Sequence, residues 1–482
     1  MAASYRLAAE PAAPPSRSDA VVQTLSQGFG GPLGRHALPG YGWWGPGRVA
    51  VFVALISYLT GVIFRLPCRI TVAGQNSDWY KHMCYSDIPL LYPGRGLQQG
   101  NVPYLDSGDY PVLEYPPLTG WFLDLERRLA GLLGAPQGLE LSPQQGVDST
   151  LIFFDVNQVL LGGLFLVAVL AQVHTVRGRP WDAMMLAASP CVSAAALINW
   201  DLLAVALTAL GCLFWARRHP LAAGALLGLA AAAKLYPGFL LGPLLLLCLR
   251  SRRMTEFWTM FAGFLAAWLA ANLPVIILAP DAWLSFWTYN ASRGGDFGSI
   301  WYVFVLAGHP VPQLNVITFT LFALACLGIG LLIITARRRP RFGAMAFLVV
   351  AAFLITSKVY SPQYVLWLLP LLVLARPKWR DLLIFTGGEL LYFGSIWWHL
   401  GGFLTPGNNG QDRLYWLAVV IRLSIQIWLV VLVVRDALRP EKDPVRAGGA
   451  DDPGGGWLDG AADAPWVARL HPAATAVPRR AA

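Results

Sequence analysis

Apolar runs long enough to cross a bilayer recur along this chain, and they commit it to a helical membrane fold. A spanning helix needs about 18 or more mostly apolar residues. A backbone in hydrocarbon must also satisfy its own hydrogen bonds, which leaves helices or closed barrels. The runs lie at 49–66, 150–173, 182–199, 201–216, 220–235, 237–249, 255–279, 312–335, 342–357, 361–376, 380–400 and 414–434. They predict an all-α polytopic protein of about 12 transmembrane helices over residues 48–436, with a long first outer loop at 67–149. Hydrophobic residues make up 56% of the 482 and charged residues only 13%, against roughly 25% charge in a soluble domain. Too little polar surface is present to face water all round.

The net charge of +9 is placed as membrane topology places it. With the N-terminus in the cytoplasm, the inner loops hold Arg177/Arg179, Arg217/Arg218, Arg250/Arg252/Arg253, Arg337/Arg338/Arg339/Arg341, Arg376/Lys378/Arg380 and Arg435/Arg439. Every dense basic cluster falls on one side, as the positive-inside rule requires. That pattern argues against nucleic acid as a partner and for the lipid bilayer. Residues 1–47, rich in Ala, Pro, Ser and Gly, and residues 437–482 have the composition of disordered cytoplasmic ends. No segment near the N-terminus has the layout of a cleaved signal peptide.

Within the first outer loop, 117–133 has helical periodicity but contains Asp124, Glu126, Arg127 and Arg128. Four charges are too costly at the centre of a span. Leu118, Trp121, Phe122, Leu125 and Leu129 share one face, so the segment is predicted to lie in the interface. A second, shorter helix of this kind is expected within 83–97. Cys68 and Cys84 fall in the same loop, either as two thiols or as a disulfide permitted outside the cell.

Sorted by side, the polar residues crowd the outer end. The first loop carries Asp78, Lys81, His82, Asp87, Arg95, Asp106, Asp109, Glu114 and Tyr115. Asn199 and Asp201 sit at one outer junction, Lys234 and Tyr236 at another, and Lys358, Tyr360, Ser361 and Gln363 at a third; Arg293 and Asp296 lie in a further outer loop, and His399 and Arg413 flank the last. Ionisable groups at this depth mark sites or proton paths, although Lys358 also suits snorkelling and Asp201 an N-cap. Lys234 follows Ala230 to Ala233, small residues that permit close helix packing, so it is expected to point into the bundle. A carboxylate in an aromatic outer loop, cations at the rim and a greasy bundle suit sugar transfer from a lipid phosphate. The acceptor hydroxyl needs a general base, and the departing phosphate needs Lys or Arg.

At these residues the chain resembles a known family. Tyr85-Ser86-Asp87-Ile88-Pro89-Leu90-Leu91-Tyr92, with Arg95-Gly96-Leu97, Gly100 and Pro103-Tyr104, is similar to the first outer loop of glycosyltransferase family 87. Asn199-Trp200-Asp201-Leu202-Leu203, Ala223-Gly224 and Lys234-Leu235-Tyr236-Pro237 resemble its central segment, and Ser361-Pro362-Gln363-Tyr364 a later outer motif. The resemblance covers about residues 50–435. It implies a glycosyltransferase-C-like bundle, a polyprenyl-phosphate-linked sugar as donor, mannose as the expected sugar, and a glycolipid or glycan of the cell envelope as acceptor. It also implies a multi-pass protein of the bacterial plasma membrane whose site faces the periplasm.

The resemblance implies a catalytic Asp in the first outer loop, and Asp87 is the matching position, as general base. By residue type alone Asp78 is equally eligible, and Asp87 also suits an N-cap before Ile88-Pro89. Tyr115-Pro116-Pro117-Leu118 is similar to a superfamily motif whose Lys, before the Pro pair, contacts the lipid phosphate. Here Tyr115, preceded by Glu114, takes that place, leaving Lys234, Lys358 or Arg95 for the phosphate. Gln363 stands where several relatives have His. Arg95, Glu114, Tyr115, Asn199, Asp201, Lys234, Tyr236, Lys358, Tyr360 and Gln363 are the expected substrate-binding residues. No group of His and carboxylates has metal-ligand spacing, so neither metal nor other cofactor is predicted. Twelve spans with interior charges also suit a transporter or lipid-linked-sugar flippase, and a scaffold without activity is a third reading. Transporters usually carry paired repeats and midplane sites, and neither is evident here.

Overall fold

A computed structural model describes residues 19–22, 24, 45–70, 78–106, 110–404, 412–446 and 449–470. Most of the expectation of disorder at 1–47 lies outside these residues. Every regular element among them is a helix. In chain order the main ones are α1 (Pro46–Phe64), α2 (Ile88–Gly94), α3 (Pro117–Leu132), α4 (Pro143–Thr175), α5 (Asp201–Ala216), α6 (Pro220–Ala233), α7 (Leu241–Arg250) and α8 (Met254–Leu278). There follow α9 (Pro280–Ser292), α10 (Ile300–Leu306), α11 (Leu314–Thr335), α12 (Phe342–Thr356), α13 (Val365–Ala375), α14 (Trp379–Leu400) and α15 (Arg413–Leu438).

Of the twelve expected spans, five are helices long and apolar enough to cross a membrane, namely α1, α4, α8, α11 and α15. Five more are shorter apolar helices. α14 has 22 residues but carries Arg380, Asp381 and Glu389. The predicted span at 182–199 is not one helix. It divides into Pro180–Ala183, Met184–Ala187 and Pro190–Ala195; Pro190, inside the span, lacks the amide a continuous helix would use and starts a new helix instead.

Helix α6 and helix α8 approach unusually closely. A Cβ at Gly224 would overlap the carbonyl oxygen of Met260, at Gly228 that of Phe264, and at Gly263 that of Leu221. Glycines on both helices thus bring the backbones together, the usual device where apolar burial cannot drive association in lipid. This crossing fixes the outer end of α6, where Lys234 adopts an extended backbone, φ −150° and ψ 141°.

The basic clusters converge on the opposite end, and there the disorder expected over 437–482 does not hold for the described residues 449–470. The tail residues 449–470 form short helical turns, Gly456–Leu458 and Pro465–Leu470. Buried Arg341 pairs with Asp443 at 2.7 Å, buried Arg339 with Asp451 at 3.1 Å, and buried Arg250 with Asp463 at 2.7 Å. Arg218 and Arg253 lie over the Trp457 ring. Composition alone shows a segment too polar to fold by itself, but not the guanidinium groups awaiting it. Asp19 joins the same end by accepting from the Trp379 amide.

Replacing Gly228 with Leu is expected to force α6 off α8 and lower the thermal midpoint in detergent. Gly242→Leu, where nothing lies within 4 Å of a built Cβ, is the matched control and should leave the midpoint nearly unchanged.

Candidate active site

The outer end is assembled from four separate segments, each tied by specific bonds. α5 runs about 24 Å from Asp201 to Ala216, so Asp201 lies at the far end from Arg217. The first outer loop docks beside it, with the Asp87 amide donating to the Ile198 carbonyl at 2.7 Å. Buried Arg65, at the end of α1, donates to the carbonyls of Tyr85 and Ala194. A disulfide between Cys68 and Cys84 closes this part of the loop, which settles the question the spacing left open. Thr119 donates to the Ala233 carbonyl at 2.8 Å, binding α3 to the end of α6. Tyr104, with a left-handed φ of 69°, donates to the carbonyls of Tyr115 and Pro116, its ring seated against Gly120.

The result is a contiguous chain of polar groups. The Tyr115 hydroxyl donates to Asp87 Oδ2 at 3.2 Å and receives Asn199 Nδ2 at 3.5 Å. Asn199 Oδ1 accepts from the Asp201 amide at 3.1 Å. Lys234 Nζ is 2.8 Å from Asp201 Oδ1 and 4.3 Å from the centre of the Tyr115 ring. The two local alternatives are thereby removed. Asp87 is the N-cap of α2 yet makes no side-chain cap bond, and Asp201 pairs with Lys234 rather than capping its own helix. Lys234 is 8% exposed and points inward, as the preceding alanines predict.

The Asp87 carboxyl is shifted toward neutrality. Burial pushes its carboxyl up to about 6, against the hydrogen bonds from Tyr85 and Tyr115 and the charge of Lys234, while Glu114 adds a smaller upward push. A carboxylate in that range accepts a proton more readily than an ordinary Asp and is still ionised at neutral pH. The backbone of Asp78 is described, at the start of the helical turn Asp78–Lys81, but its side chain and all of Asp109 lie outside the described residues.

The remaining expected residues divide. Arg95 pairs with Glu114 at 2.8 Å, next to Tyr115 in sequence. Tyr236 stacks on Trp367 and donates to Thr208, serving as a buried wall. Tyr364 in turn lies over Trp367 with ring centres 3.9 Å apart. Gln363 is buried, with its side-chain oxygen unpartnered. Lys358 and Tyr360 are held elsewhere. Lys358 reaches Asn315 and the Ala291 carbonyl. Tyr360 sits under Arg422, which pairs with Glu389 and also holds the Tyr360 carbonyl. Arg422 and Glu389 had a visible sequence signal, lone charges inside apolar runs, that was not used.

Another residue that sequence reasoning did not single out is Glu126. It was one of four charges in a segment expected to lie in the interface. It is instead fully buried and accepts from the Trp200 indole at 2.8 Å; burial raises its pKa far above the usual carboxylate range. α3 does present Leu125 outward at 48% exposure, and its ionic groups Asp124 and Arg127 pair with each other on the protein side.

Beside Tyr115 opens a shallow apolar groove, walled by Leu235 of the α6 end, Trp268 of α8, and Trp283, Phe286 and Trp287 of α9. Leu235 and Trp287 are each 39% exposed, so the groove meets the outer surface of the bundle.

Removing one member of a buried ion pair strands the other charge, at a cost of about 3–5 kcal/mol. Asp201→Asn and Lys234→Met are each expected to destabilise strongly, whereas the double variant should recover most of the loss. Thermal unfolding in detergent reads the cycle, and simple additivity would show that the pair is uncoupled.

A model of glycosyltransferase family 87 matches residues 146–362. Among solved structures, the crystal structure of ArnT from Cupriavidus metallidurans bound to undecaprenyl phosphate is similar, with a TM-score of 0.42 and 17% identity over 88% of this chain and 76% of that one. No curated protein sequence matches. The matched segment contains Asn199, Asp201, Lys234 and Lys358, and the first outer loop with Asp87 lies outside it.

Proposed function

We propose that this protein is a membrane glycosyltransferase that moves a sugar from a polyprenyl phosphate to an acceptor hydroxyl at the outer face of the plasma membrane. The observation that carries the reading is Asp87, a carboxyl poised near 6, joined through Tyr115 to the buried Lys234–Asp201 pair at the mouth of an apolar groove. The family match supports the reaction class.

In the proposed step the Asp87 carboxylate takes the proton of the acceptor hydroxyl as its oxygen bonds to the anomeric carbon. The bond from that carbon to the phosphate oxygen breaks, and the phosphate leaves with both electrons, held by cations at the rim. The prenyl chain lies along the Trp283–Trp287 side of the groove. The Tyr115 hydroxyl keeps Asp87 ionised at neutral pH and aimed. Arg95 and Glu114 border the acceptor side, with Asn199 and Gln363 as neutral hydrogen-bonding groups. Mannose as the sugar, and an envelope glycolipid or glycan as acceptor, are the finer proposals. The linked groups Asp87, Tyr115, Lys234 and Asp201 lie at one end of the bundle rather than at mid-depth, which favours transfer over transport.

Purified protein in proteoliposomes, given radiolabelled polyprenyl-phosphate mannose and envelope glycolipids, tests the proposal. Asp87→Asn should abolish transfer at unchanged protein level. The wild-type rate should fall about ten-fold per pH unit below pH 6, because only the ionised carboxylate accepts the proton. Full activity in Asp87→Asn would remove the assignment.

A further inference from the structure

Two cations of the outer end, Arg293 and Lys358, stand on adjoining segments. Arg293, just past the end of α9, pairs with Asp296 at 2.6 Å. The Asp296 amide donates to the Lys358 carbonyl at 2.8 Å, which fastens the two segments side by side. The Lys358 ammonium, among the described residues, reaches only neutral acceptors, the Asn315 side-chain oxygen and the Ala291 carbonyl. Burial, and then the charge of Arg293, hold its pKa below the usual lysine value. Lys234 differs, because its charge is already matched by Asp201. Among the described residues, the Arg293, Lys358 and Asp296 group therefore carries one positive charge more than its acid matches, whereas the ion pair at 234 is closed.

The placement suits a lipid head group. α9 supplies Trp283, Phe286 and Trp287 to the apolar groove, and Arg293 follows Trp287 by six residues, about 9 Å along the helix direction. Tyr364 lies within reach of the charges of Asp201, Arg293 and Asp87, so Arg293 and the two carboxylates approach one tyrosine. A chain lying in the groove would thus bring a phosphate to the Arg293 side with the anomeric carbon turned toward Asp87.

We infer that Arg293 and Lys358 form the anion site that takes the phosphate of a polyprenyl phosphate, with Lys234 kept as the internal counter-ion of Asp201. The inference rests on the donor class proposed above. A guanidinium offers a planar pair of donors to phosphate and an ammonium a compact point charge, so the two together satisfy several phosphate oxygens.

Binding without turnover separates this inference from the reaction itself. Wild-type protein in nanodiscs is titrated with decaprenyl phosphate and with decaprenol, read by tryptophan fluorescence. The wild type should prefer the phosphate lipid by roughly ten-fold or more, as charge-assisted hydrogen bonds predict. The double variant Arg293→Gln/Lys358→Gln should lose that preference and keep its decaprenol affinity, whereas Arg293→Lys/Lys358→Arg should retain it. A double Gln variant that still prefers the phosphate lipid overturns the site and leaves the transferase reading intact. A wild type without any preference overturns the lipid-phosphate donor itself.

Discussion

A charge removed from water must meet its opposite, and at the outer end of this bundle that demand falls on Lys234 and Asp201. Neither has an inexpensive alternative, since Asp201 is fully buried and Lys234 nearly so. The glycine-lined crossing of α6 and α8 delivers Lys234 to the pair. The ring of Tyr115 closes over the ammonium, and its hydroxyl then has one direction left, toward Asp87 and Asn199. The first outer loop is thus positioned by an ion pair made by two other segments.

The two ends of the molecule solve the same electrostatic problem differently. At the basic end, the arginines between spans are buried under a tail whose aspartates match them nearly one for one. At the outer end, matching is incomplete. Among the described residues, Asp87 has no direct cation, Glu126 is buried against an indole rather than a base, and Lys358 has no acid. Incomplete matching costs stability, and it persists where a bound group supplies what is missing.

Much of this outer site was legible from the residues alone. The positive-inside alternation fixed which junctions share an end, and it put Asp87, Tyr115, Asn199, Asp201 and Lys234 at one depth. The small residues before Lys234 indicated its inward turn. What sequence could not supply was direction around each helix axis. Glu126 shares helical spacing with solvated charges, yet it faces Trp200. Lys358 shares a junction with Gln363, yet it turns toward α11 through Asn315. The broken third span was readable in Pro190, which hydropathy alone passes over. The ordered tail was not readable, because its partners lie more than 100 residues upstream.

The central claim is that the Tyr115 hydroxyl couples the proton-accepting carboxyl to the buried pair. Its most direct test is the pH profile of sugar transfer in Tyr115→Phe, which keeps the ring beneath Lys234 and deletes the donor to Asp87. Losing a hydrogen bond to the ionised form must raise the carboxyl pKa. The acid limb should therefore move upward from its wild-type position near pH 6. An acid limb that stays in place in Tyr115→Phe would mean that Asp87, as drawn, is not the group whose ionisation the reaction reads.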